Sequence, residues 1–227
     1  MGRSRLFFFP LAVPFLIVGA LLLALLFALI EIGVIEYAYA KIGIHGSHVF
    51  GLLLLSLLGS YVNIPLAELP AEQVLSNRIV SAFGMPYVVP VVEDQAATIV
   101  AINVGGAVIP VLLSLYLVVR NGAYLPAALA VAIVTAIVHL LARPVYGIGI
   151  AVPALVPPVV ASVAALLLSS EATPSVAYVA GSLGTLIGAD LLNLRKLRGL
   201  GAPIASIGGA GTFDGIFLTG ILAALLA

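Results

Sequence analysis

Two aspartates fall inside stretches that are otherwise apolar: Asp190 in GSLGTLIGADLLNL and Asp214 in SIGGAGTFDGIFLTG. A carboxylate at the centre of a membrane helix costs roughly 2.5–3.5 kcal/mol on insertion scales, so something must offset it or use it. The two stretches read as neighbouring antiparallel spans joined by RKLRGLGAP, which lets both carboxylates reach one level. Two carboxylates that close cannot both ionise cheaply, so one keeps its proton and the pair titrates as a unit. Such a pair can hold a water, the ionised member drawing a proton from it while the neutral member donates to a carbonyl oxygen. That is the chemistry of aspartic peptide hydrolysis inside a membrane, with Asp190 and Asp214 as the catalytic dyad. The same pair could bind a cation or relay protons in a small transporter. A third reading pairs each aspartate with Arg143 or Arg195 in a helix bundle that binds a partner.

The residues around the aspartates set expectations for substrate contact. Gly184 and Gly188 precede Asp190, and Gly208, Gly209, Gly211 and Gly215 surround Asp214. Small residues let helices approach closely, and glycine loosens the backbone so that water or an extended peptide can enter. SIGGAGT is expected to form an extended segment able to pair with a substrate strand. Gly188, Ser206, Gly208, Gly209, Gly211 and Thr212 are therefore the expected substrate-binding residues. No base is placed to activate Ser206 or Thr212, which leaves a serine-protease reading without support.

The elements that must position these groups follow from composition. Hydrophobic residues make up 63% of 227 positions and charged residues 8%, with no cysteine, and the mean hydropathy is +1.29. That is the composition of an integral membrane protein. Basic and acidic residues cancel, so net charge gives no case for nucleic acid, and without cysteine there are no disulfides, thiolate metal sites or cysteine nucleophiles. No cofactor or nucleotide-binding loop is indicated. The expected architecture is an all-α bundle forming one integral membrane domain over residues 1–227. Its spans lie near 6–30, 47–64, 96–119, 123–142, 147–168, 174–193 and 205–226, each near the 20 residues a bilayer needs. The first is too long for a signal peptide and reads as a retained helix.

Orientation follows from Lys and Arg. With the N-terminus in the cytoplasm, Arg3, Arg5, Arg78, Arg143, Arg195, Lys196 and Arg198 lie inside, and only Lys41 and Arg120 outside. This satisfies the positive-inside rule for an N-in, C-out protein of the cell membrane, with the lipid bilayer as its surroundings and transmembrane peptides as candidate partners. In the long connection 65–95, the early part is expected as an amphipathic surface helix and MPYVVPVVED as extended chain. NVGGA at 103–107 echoes SIGGA at 206–210, a hint of related halves and of the broken helices of transporters. Asn103 reads as a helix–helix hydrogen-bonding residue or a substrate contact. His45 and His48 in HGSH are placed like two zinc ligands lacking a clear third, or like an interfacial loop. Arg143 snorkels to phosphates or pairs with an aspartate, and RKLR anchors topology.

GTFDGIFLTG resembles the GxGD segment of presenilin and signal peptide peptidase, and GADLLNL is similar to the preceding aspartate helix of those intramembrane aspartyl proteases. The resemblance spans residues 180–222 and implies Asp190 as the first catalytic aspartate and Asp214 as the second. Phe213 stands where GxGD has glycine, and Ala189 where presenilins often carry tyrosine. The tripeptide PAL at Pro153–Leu155 precedes both aspartates, whereas in those proteases it follows the second, so no role is carried to it. Prepilin peptidases share GxGD, but their cysteine-bearing segment is absent here. The whole chain, above all GADLLNL followed by IGGAGTFDGIFLTG, resembles an uncharacterised prokaryotic polytopic membrane family, domain of unknown function 1614, which supplies no activity.

Overall fold

The computed structural model describes residues 18–25, 33–69, 73–82, 85–94, 98–145, 149–197, 204–209 and 215–227. Most of the expected first span, and Gly211, Thr212 and Asp214, lie outside them. Residues 18–25 are helical. Next come α1 (Val34–Lys41), α2 (Ser47–Gly59), β1 (Asn63–Leu69), β2 (Gln73–Ala82), β3 (Met85–Asp94) and β4 (Thr98–Asn103). A π-helical turn, Val104–Val108, leads into α3 (Ile109–Asn121), followed by α4 (Tyr124–Leu141), β5 (Arg143–Val145), β6 (Gly149–Ala151) and α5 (Val156–Leu168). The chain closes with α6 (Thr173–Thr185), a π turn (Leu186–Asp190), a 3-10 turn (Leu191–Leu197), β7 (Ile204–Ile207) and α7 (Gly215–Leu226).

The fold is mostly helical, as a membrane protein of this composition requires. Among the described residues, three helical segments are long and apolar enough to cross a bilayer: Val104–Asn121, Tyr124–Leu141 and Thr173–Lys196. α2, α5 and α7 are apolar but shorter. The all-α expectation is corrected by three small sheets. Three expected spans, 96–119, 147–168 and 205–226, begin as extended chain before turning helical. The cause is local: TIVAIN and IASI favour strand through β-branched side chains, and GIAVPALVPP is broken by glycine and proline.

The largest sheet has the order β1-β4-β7. β1 runs antiparallel to β4 from Asn63↔Asn103 to Leu69↔Thr98, with a bulge between Pro65 and Ala67. β1 is an edge strand, where proline's missing N–H is tolerated. β4 and β7 are parallel, from Ile99↔Ile204 to Ile102↔Ile207. Buried extended backbone needs its polar groups paired inside protein, and β4 is correspondingly buried or half-buried throughout. β1 also overturns the amphipathic helix expected at the start of 65–95. The expected extended MPYVVPVVED is β3, in a hairpin with β2; β5 and β6 form a second hairpin.

α6 is the central helix: 72% of its spanning segment is buried, against 39% for that of α3 and 22% for that of α4. Its sequence, TPSVAYVAGSLGT, explains this, because small side chains admit neighbours on every side. A Cβ on Gly181 would stand 3.1 Å from Ala223 Cβ and Thr219 O on α7, and one on Gly184 2.6 Å from Val134 on α4. Ala130, Val134, Ala161, Ala165, Ala177 and Ala180 fill one core between α4, α5 and α6. Leu117, Tyr178, Phe217 and Ile221 join α3, α6 and α7 in another. A third lies under the sheet, from Val100, Ala107, Leu186, Ile207 and Ile216. Since Gly181 meets Ala223 and Leu186 shares a core with Ile216, α6 and α7 are antiparallel neighbours.

The cations sort by end of the molecule. Arg120 donates to Gly43 O at 2.7 Å and Lys41 Nζ to Leu225 O at 3.1 Å, so both lie at the end where α7 finishes. At the other end His139 meets Asn193, bringing the C-terminal end of α4 beside the 3-10 turn that carries Arg195 and Lys196.

Candidate functional site

Asp190 closes the π turn in which the α6 segment changes winding. A π turn leaves carbonyls without their usual intrahelical donors and is often found at functional sites. Here Asn193, fully buried, supplies donors from its side chain: Nδ2 donates to Gly188 O at 2.8 Å and Ala189 O at 2.9 Å. The same amide lies 3.3 Å from His139 Nδ1 on α4. The sequence reading passed over Asn193, although an asparagine three residues beyond an intramembrane aspartate is itself a costly polar group that needs partners.

Asp190 is half-buried, and its Oδ2 accepts the N–H of Gly208 at 2.8 Å. This bond ties the end of the α6 segment to the turn after β7. Gly208 and Gly209 hold left-handed backbone at φ +85° and +87°, where other residues are strained. A Cβ on Gly208 would stand 2.6 Å from both Ala107 Cβ and Ala107 N. The two echoing segments, NVGGA and SIGGA, are therefore packed on one another. Their alignment is not that of the sheet, which sets Ser206 opposite Ala101 rather than Asn103. Both run from a strand through Gly-Gly towards a helix, and β4 and β7 are parallel.

A polar cluster fixes this junction. Asn103 Oδ1 accepts the N–H of Gly106 at 2.8 Å, capping the π turn before α3. Its Nδ2 donates to Ser60 O at 2.7 Å and to Asn63 Oδ1 at 3.1 Å. Ser206 Oγ donates to the same Asn63 oxygen at 2.6 Å. One residue from each strand of the main sheet is thus joined through Asn63. The expected helix–helix bond of Asn103 is instead a cap combined with a strand-to-strand tie.

Beside Asp190 lies a cavity of about 480 Å³. Its walls are Ile204 to Ile207 of β7, the segment Ile150 to Leu155, Thr185, Ala189 and Asp190 of the α6 segment, Thr219 of α7, and both Gly209 and Gly215. Thr185 Oγ1 is buried without a partner among the described residues. Of the expected substrate-binding residues, Ser206 and Gly209 line the cavity, while Gly208 holds Asp190 from behind. Gly188 faces α4, where a Cβ would stand 2.7 Å from Thr135 O and 3.0 Å from Val138 Cβ. Its missing side chain lets α4 and the α6 segment meet. The PAL residues Pro153, Ala154 and Leu155, given no role from sequence, are part of the wall.

Among the described residues, Gly208 is the hydrogen-bonding partner of Asp190, and no arginine or lysine pairs with it. Arg143 is exposed at the start of β5. Asp214 lies outside the described residues, but the described residues bracketing that segment, Gly209 and Gly215, both line the Asp190 cavity. His45 and His48 sit at the start of α2, and among the described residues no three His, Asp or Glu side chains are grouped to hold a metal ion.

No curated protein and no solved structure matches the chain. One family model, described as a protein of unknown function (DUF1614), matches residues 57–226, a range that begins within α2 and takes in the sheet, the cavity and α7. The chain belongs to that family.

Proposed function

We propose that this chain is a multi-pass protein of the cell membrane, N-in and C-out, that hydrolyses peptide bonds of membrane-embedded substrates with an Asp190/Asp214 dyad. One observation carries the reading: Asp190 faces a cavity whose wall includes Gly209 and Gly215, the described residues on either side of the segment holding Asp214. In the reaction the ionised aspartate takes a proton from the bound water as its oxygen bonds to the scissile carbonyl carbon. The neutral aspartate gives its proton to the carbonyl oxygen, forming a gem-diol. Collapse of the gem-diol breaks the C–N bond: the amine nitrogen takes the proton held by the first aspartate while a gem-diol hydroxyl returns its proton to the second, restoring both carboxyls. Gly208 N–H, fixed on Oδ2, leaves Oδ1 of Asp190 for the water. β7 ends the sheet order and its four residues line the cavity, so a substrate strand can add to it through backbone hydrogen bonds.

A second reading, a proton- or cation-coupled transporter, is favoured by the two parallel strands that each pass through Gly-Gly towards a helix. The experiment is cleavage of a transmembrane substrate by the reconstituted chain, with Asp190→Asn and Asp214→Asn made singly at matched expression. Loss of cleavage in both supports hydrolysis. Undiminished cleavage in both rejects it, and solute-dependent proton flux lost in the Asp190 variant favours the carrier.

A further inference from the structure

Another cavity lies at the opposite end of the molecule from Asp190, between the start of α2 and the length of α3, with a volume of about 1120 Å³. This exceeds the roughly 300–1,000 Å³ common for small-ligand sites. One end is polar, formed by Arg120, His45 and His48; the floor is apolar, formed by Leu55, Leu112 and Ile109 among others. None of its lining residues is acidic. Along α3 the distance from Arg120 to Ile109 is about 16 Å at 1.5 Å per residue, near half of the roughly 30 Å hydrocarbon core. The groove thus has the length of one leaflet, with its cation at the headgroup end.

The cation is held in place. Arg120 Nη1 donates to Gly43 O at 2.7 Å, and the guanidinium lies 5.8 Å from the Tyr116 ring centroid. Gly43, at φ +81°, makes room for it, since a Cβ there would stand 2.9 Å from that nitrogen. Guanidinium has five N–H donors in a fork suited to phosphate, and the His45 ring offers a further N–H, while His48 Nδ1 lies 3.4 Å from His45 O. Leu55 and Leu112 are 59% and 60% exposed, apolar surface that an acyl chain can cover.

We infer that this groove is a binding site for an anionic phospholipid, its phosphate on Arg120 with His45 and His48 and one acyl chain along α2 and α3. The occupant is a lipid rather than the chain's own apolar residues 6–30, because those hold no acidic side chain to answer the arginine.

The test is native mass spectrometry of the full chain in detergent, titrated with dioctanoyl phosphatidylglycerol, dioctanoyl phosphatidylcholine or inorganic phosphate. Phosphatidylglycerol is expected to bind about fivefold or more tightly than phosphatidylcholine, the worth of one cation at an anionic surface, and phosphate alone not measurably. Arg120→Gln should bring phosphatidylglycerol down to the phosphatidylcholine level. Leu112→Trp, at an exposed position that leaves the fold alone, should block phosphatidylglycerol by filling the floor. Equal binding of the two lipids to the unaltered chain overturns the site even if a variant misfolds. So does phosphate binding as tightly as lipid, wild-type binding by both variants, or a photo-crosslinker at Leu112 that captures residues 6–17 of the same chain.

Discussion

Gly208 is where the two Gly-Gly segments, the main sheet and Asp190 converge, so Gly208→Ala tests the packing of the site as a whole. Left-handed backbone costs a Cβ-bearing residue about 1–2 kcal/mol. The new methyl would also lie 2.6 Å from Ala107 Cβ and N, and overpacking of that kind costs about 1–3 kcal/mol. The sum is about 2–5 kcal/mol. For a chain of this size, at about 2–4 °C per kcal/mol, Tm should fall by roughly 4–20 °C. Gly122→Ala is the matched control: it has φ +62° and nothing within 4 Å of a Cβ, so only the backbone cost of about 1–2 kcal/mol applies. Thermal unfolding of both variants in one detergent separates the two costs. Adding Ala107→Gly to Gly208→Ala should recover part of the loss, because Cβ is removed while the backbone nitrogen stays. Equal Tm values for Gly208→Ala and Gly122→Ala, or no recovery, would refute the close packing of the two segments.

Asn193→Leu should destabilise the chain by about 1–3 kcal/mol, because two buried carbonyls lose their side-chain donor. Asn193→Asp should be no better, since an ionised carboxylate cannot donate; unchanged Tm in the Asp variant contradicts the assignment. Gly188→Val should drive α4 from α6 and give aggregated protein on size-exclusion chromatography, whereas Gly51→Val, where nothing lies within 4 Å, should stay monodisperse. Asn103→Asp keeps the acceptor for Gly106 N–H and loses the donors to Ser60 and Asn63. It should therefore speed hydrogen exchange in β1 and at Ser206 more than at the start of α3, and the reverse order would count against the network.

The membrane character was legible in the sequence, because long apolar runs leave few alternatives, whereas the central place of α6 was not inferred from its run of Ala, Gly and Ser. Asp190 was legible for the same reason: a lone carboxylate among apolar residues stands out by its cost. The strands were not, since TIVAIN and IASI are short apolar runs that periodicity cannot tell from buried helix. β1 misled because its alternation is interrupted by the bulge at Pro65. Gly188 was read both for close helix approach and for backbone freedom, and its missing side chain lets α4 approach. The echo of NVGGA and SIGGA pointed to two segments that do meet. That they meet through a parallel strand pair, and that Ile150 to Leu155 closes the cavity opposite, depend on contacts across distant parts of the chain, which local pattern does not encode.

The absence of cysteine permits a direct measurement of the proposed dyad. Asp190→Cys and Asp214→Cys, introduced together, are treated in membranes with the shortest bis-methanethiosulfonate reagent. The cross-strand partners Glu68→Cys and Ile99→Cys serve as the bridged control. Two carboxylates sharing a water predict an intramolecular bridge in the aspartate pair as readily as in the control. A bridged control beside an unbridged aspartate pair would contradict the shared site on which the proposed hydrolysis rests.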